Sequence, residues 1–188
     1  MEKNEKFWSV KRIFAFPGMD TKRVCTIGLL IAITFVLSAI SGYLRIGNIS
    51  KLSISFVSVF VAAFMFGPVT GGIVGAAADI ISCFINPVGA FLPQLTAVEF
   101  LYGFIYGFLF YKRENRFYYF NVAVCDIIQF AVNMLLKTFI LSSVYTTPFN
   151  AMFISRLPMC AVQFVIIAVV LILIKPFSGL FLKAGVKK

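Results

Sequence analysis

The sequence predicts an all-α integral membrane protein, a six-helix bundle with both termini cytoplasmic. Three observations carry that prediction. Of 188 residues, 61% are hydrophobic and 13% are charged, whereas a soluble domain has about half apolar residues and about a quarter charged ones. The apolar residues fall into six runs separated by Gly, Pro and polar segments. The cations gather where runs end, which orients the runs by the excess of Lys and Arg on cytoplasmic loops.

The elements follow in order. Residues 1–21 read as a cytoplasmic lead-in, with Trp8, Phe14 and Phe16 suited to the interface. The first helix spans 24–40 and stops at Ser41-Gly42. A polar stretch from Arg45 to Lys51 precedes a short second run, 52–66, which ends at Gly67-Pro68. Proline suits the first turn of a helix, so the third runs 69–85, dense in Gly and Ala, to Asn86-Pro87. The fourth spans 93–111 and closes at the Lys112, Arg113, Arg116 cluster. The fifth covers 119–142 and the sixth 150–174, after a Thr-Thr-Pro turn. Residues 176–188 form a basic cytoplasmic tail, so that about 22–175 is one membrane domain within a single-domain chain.

Charge narrows the function. The formal net charge is +10, but the basic clusters flank apolar runs, whereas nucleic-acid binding needs a basic face in polar surroundings. No nucleic-acid partner is expected; the lipid bilayer is. There is no His, which removes the commonest general base and metal ligand. Cys25, Cys83, Cys125 and Cys160 lie scattered without CxxC spacing and read as packing residues. Neither a metal nor a cofactor is implied. No nucleophile–base spacing points to an intramembrane enzyme, and no phosphate-loop motif occurs.

Four of the 17 cations escape the three inner clusters: Arg45, Lys51, Lys137 and Arg156. The topology places them on the outer side or in the outer half of the bilayer. A charge there is costly without a partner or a task. Asp126, Gln129, Asn133 and Lys137 are spaced 3, 4 and 4 on the fifth helix, which puts them on one face. Such a polar stripe must face protein or a water-filled cavity. Asp79 and Glu99 lie in the third and fourth helices, Tyr102 one turn beyond Glu99, and Arg156 in the sixth with Gln163 on the same side.

Two readings compete. These groups pair among themselves, Asp79 with Lys137 or Glu99 with Arg156, and tie the bundle together. Alternatively, the excess of outer cations over outer acids holds an anionic ligand with more than one negative group. Arg grips a carboxylate bidentately and Lys acts as a point charge. A buried carboxylate such as Glu99 complements them by accepting paired N–H donors from a heterocycle edge. Phe56, Phe84, Phe91 and Tyr102 are placed to sandwich a planar ring. Gly28-x-x-x-Ala32 and Gly103-x-x-x-Gly107 allow close helix approach, within the bundle or to a partner.

The run from Gly67-Pro68 through Gly71, Gly72 and Gly75 to Asp79, then Asn86-Pro-Val-Gly-Ala-Phe-Leu-Pro93, then Tyr102-Gly-Phe-Ile-Tyr-Gly107, resembles a known family. It is similar to the substrate-binding S components of energy-coupling factor (ECF) vitamin transporters, most like the folate-specific type. The likeness covers about residues 22–175, and the folate type rests on the segment 45–67 and on Arg156-Leu-Pro158.

The resemblance implies capture of folate or a related vitamin from outside, at the bacterial cell membrane, for ATP-driven uptake. It implies a gate at residues 42–51, a membrane scaffold subunit contacted through Gly28 and Ala32, and two ATPase subunits. In such proteins the binding subunit topples in the membrane to release its cargo. Folate has a pterin donor edge and a glutamate tail with two carboxylates. The tail is expected at Arg45, Lys51, Lys137 or Arg156, and the pterin edge at Glu99 or, second, Asp79. Gln129 and Asn133 would orient the ligand. The alternatives are another vitamin (pantothenate, a queuosine precursor or riboflavin) on the same scaffold, or a solitary proton-coupled carrier using Asp126 or Glu99 as relay.

Overall fold

The computed structural model describes residues 21–43, 45–46, 50–51, 53–85, 91–111 and 118–177. The lead-in, the 112–116 cluster, the connection at 86–90 and the tail from 178 lie outside the described residues. So do the side chains of Arg45 and Lys51, two of the four expected outer cations.

Helix α1 spans Thr21–Tyr43 and is followed by two-residue strands, β1 Arg45–Ile46 and β2 Ser50–Lys51. These pair antiparallel, Arg45 opposite Lys51, and are the one departure from an all-α chain among the described residues. Then come α2 Phe56–Phe66, α3 Pro68–Ile85 and α4 Pro93–Phe110. Helix α5, Tyr118–Val132, passes through a π-helical turn, Asn133–Lys137, into α6, Thr138–Tyr145. Helix α7, Phe149–Ile174, ends in a 3₁₀ turn at Lys175–Phe177. With α5 and α6 counted as one rod, the described residues hold six helical segments, matching the six apolar runs.

Among the described residues, three segments are long and apolar enough to cross a bilayer: Arg23–Ser41, Tyr118–Tyr145 and Phe149–Ile174. Helix α2 is not a span. Its 11 residues reach only about 16 Å at ~1.5 Å per residue, against a hydrocarbon core of about 30 Å. It is a plug instead, with every residue from Ser58 to Phe66 buried, as a helix apolar on all sides must be. Phe60 meets Tyr106 and Phe110 edge to face, at ring separations of 5.4 and 5.1 Å.

The second apolar run begins at Leu52, yet the helix starts at Phe56. Side chains tie down the backbone that precedes it. Ser53 N–H donates to Gln163 Oε1 at 3.2 Å, and Gln163 Nε2 donates back to Ser53 O at 3.0 Å. Ile54 N–H donates to Ser41 Oγ at 3.0 Å. With their donors satisfied, these residues gain nothing from a further helical turn.

The tightest contact is the α3–α4 seam. A Cβ built on Gly103 would lie 2.0 Å from Gly71 O, and one on Gly107 2.3 Å from Pro68 Cα. Gly103 and Gly107 therefore serve packing within the bundle, backbone on backbone. Gly67, at φ 102°, makes the α2–α3 turn in a conformation that glycine adopts without steric cost.

Candidate ligand-binding site

A cavity of about 530 Å³ lies between this seam and the α5–α7 half of the bundle. The fifth-helix stripe lines it in full: Asp126, Gln129, Asn133 and Lys137 all face it. The π turn carries the upper two, and such widened turns recur where a helix serves a site. In α7, Pro158 has no N–H for the helical ladder, which frees a carbonyl one turn back, near Arg156. At the Asp126 end the lining residues Val59, Tyr106 and Ile167 are buried, and toward Phe91, Tyr145 and Thr147 they become exposed. The cavity is thus deep at Asp126 and shallow at Tyr145.

Lys137 Nζ donates to Glu99 Oε1 at 2.5 Å, with side chains 17% and 32% exposed. The same ammonium sits 4.9 Å above the Tyr102 ring. Arg156 differs. Its Nη2 donates to Asn133 Oδ1 at 3.1 Å and its Nη1 to Thr138 Oγ1 at 3.3 Å. Both acceptors are neutral, and Lys137–Glu99 is the one ion pair among the described residues. Thr96 Oγ1 donates to Asp79 Oδ2 at 2.7 Å. Tyr106 Oη donates to Gln129 Oε1 at 3.1 Å. The pairing is therefore neither of those weighed from sequence: Glu99 takes Lys137, and Asp79 takes a hydroxyl.

Asp79, Glu99, Tyr102, Gln129, Asn133, Lys137 and Arg156 thus come together around one cavity. Phe56 and Phe91 line it as well, but Phe84 does not. Phe84 is 85% exposed, because it stands one residue, about 100° of helical turn, past the lining residue Cys83. Gln163 and Asp126 also line the cavity. The signal for Asp126 was present, since it begins the 3-4-4 stripe. Gly28 and Ala32 lie elsewhere, on an exposed face of α1 beside Leu29 and Ile33.

Among the described residues, six helical segments surround a cavity with polar side chains in its wall, the arrangement of a membrane-embedded protein that binds small molecules. The chain belongs to the family described as the substrate-specific component of ECF transporters, which it matches over residues 22–175. It is 34% identical over 123 residues, 65% of this chain and 71% of the other, to the folate transporter FolT of Clostridium novyi. It is 28% identical over 178 residues, 87% of this chain and 94% of the other, to the riboflavin transporter RibU of Staphylococcus aureus. The crystal structure of FolT bound with folic acid superposes on it with a TM-score of 0.71 at 27% identity, covering 81% of this chain and 91% of that one.

Proposed function

We propose that the protein is the folate-capturing S component of an ECF transporter, binding the vitamin from outside the cell membrane. The observation that carries this reading is Arg156, a cation in the cavity wall held only by neutral acceptors. A ligand carboxylate is the partner it lacks, and a guanidinium grips one bidentately. Lys137, already paired, adds long-range attraction, and Asn133 and Gln129 orient the ligand. The similarity to two proteins named FolT supplies the vitamin. Riboflavin, suggested by the RibU relative, has no carboxylate for Arg156.

The rest of the proposal follows from the family. Lys175, the end of α4 and the start of α5 lie at one end of the bundle, since Lys175 Nζ sits 3.6 Å above the Tyr119 ring and Phe110 meets Tyr118 edge to face. The positive-inside rule makes that end, and both termini, cytoplasmic. Residues 42–51, with Arg45 and Lys51, form the gate. Gly28 and Ala32 meet the scaffold subunit, and two ATPases drive release inward.

Calorimetric titration of the purified protein tests the reading, with mass spectrometry of co-purified ligand. Submicromolar folate binding is expected. Arg156→Ala should weaken it by about 1.5–3 kcal/mol, the range for a charged hydrogen bond. Esterified folate should lose affinity in the wild type and little more in the variant. Riboflavin in place of folate in the co-purified material would replace the reading.

A further inference from the structure

The deep end of the cavity holds a carboxylate that the protein leaves unsatisfied. Asp126 is 2% exposed, and neither of its side-chain oxygens has a hydrogen-bond donor. Buried polar groups almost always have partners, and a bare buried carboxylate is costly. The neighbouring donors point elsewhere. Gln129 Oε1 accepts from Tyr106 Oη, and Gln129 Nε2 points to Cys125 Sγ at 3.6 Å. Lys137, eleven residues on, is taken by Glu99. Yet Asp126 lines the cavity, so a donor arriving there would meet it.

We propose that Asp126, and not Glu99, receives the N–H donor edge of the ligand's heterocycle. A carboxylate only accepts, and its two oxygens match two parallel donors, such as an exocyclic amino group beside a ring N–H. Glu99 is the poorer receptor because its Oε1 is already spent on Lys137. The cavity then has a polarity. Its acceptor end is Asp126, and Arg156 stands beside Asn133, seven residues or about 10 Å further along the helix at ~1.5 Å per residue. An elongated ligand with a donor edge at one end and a carboxylate at the other fits that order. The ring enters first and the tail stays nearer the exposed end.

This inference rests on the folate reading, so the experiment separates the two. Folate and an analogue whose 2-amino group is replaced by methyl are titrated into wild type, Asp126→Asn and Glu99→Gln. The Asn variant is isosteric, and its melting temperature reports folding. Asp126→Asn should weaken folate about ten- to hundredfold, as for a lost charge-assisted hydrogen bond. The analogue should bind wild type and Glu99→Gln more weakly than folate, and lose little further in Asp126→Asn. Folate affinity unchanged in Asp126→Asn overturns the assignment. So does a Glu99→Gln protein that no longer distinguishes folate from the analogue, a result that needs no Asp126 variant. Wild type that binds no folate removes the functional reading itself.

Discussion

Along the α3–α4 seam the backbones touch, and the oxygen of Gly71 occupies the space where a Gly103 side chain would begin. Between α5 and α7 side chains carry the contact: Arg156 reaches Asn133 and Phe130 meets Phe164 edge to face, while Gln163 turns to the chain before α2. The seam is held by shape, with dispersion contacts that weaken steeply with distance. The other half is held by directional bonds that leave room for a guest. A binding protein in lipid needs both. Water does not drive its helices together there, so small residues must fix one wall while polar groups form the other.

The largest test of that contrast is Gly103→Ala. One methyl group at 2.0 Å from a backbone oxygen must push two helices apart, with a cost of about 3 kcal/mol, at the upper end of ordinary overpacking. Thermal melting in detergent reads it, and wild-type melting would show that the seam is not the rigid wall. Next is the Lys137–Glu99 pair. Either single replacement, Lys137→Met or Glu99→Gln, should cost about 2 kcal/mol. That is below the ~3–5 kcal/mol of a fully buried pair, because both side chains keep some exposure. The double variant should recover at least about 1 kcal/mol in a double-mutant cycle. Additive losses would mean that the pair is incidental and that Lys137 is free for the ligand.

How far these features could be read in advance differs between the two walls. The stripe Asp126, Gln129, Asn133, Lys137 was legible because helical period alone places it on one face, and all four residues line the cavity. The six segments were legible from apolar runs and their Gly-Pro breaks. Partner choice was not. Whether Glu99 meets Arg156 or Lys137 depends on the rotation and axial offset of α4 against the π turn, and no local pattern encodes either. The true length of α2 was hidden for a similar reason. Its apolar run begins at Leu52, but a glutamine 110 residues later along the chain claims the Ser53 backbone. Nor did Gly103-x-x-x-Gly107 reveal whether it packs inside or outside the bundle, since small-residue spacing is the same for both.

Gln163→Ala probes a smaller link. It removes both hydrogen bonds to Ser53, worth about 1 kcal/mol together at partial exposure. The expected outcome is a small drop in melting temperature with faster folate release, measured by stopped-flow fluorescence. Unchanged release would assign the chain before α2 to the rigid wall.

The smallest effect belongs to Gly28, and it sets the contrast most sharply. A Cβ added there meets nothing within 4 Å, although Gly28 sits in the same small-x-x-x-small spacing as Gly103. Gly28→Ala should therefore leave stability within about 0.5 kcal/mol of wild type, as for an ordinary surface change. Gly28→Leu separates packing from partnership. Folding and folate affinity should hold, while co-purification with the scaffold subunit proposed above should fall, because a large side chain breaks a flat face. If Gly28→Leu instead melts early, the face on α1 packs against its own bundle, and the motif is a second seam.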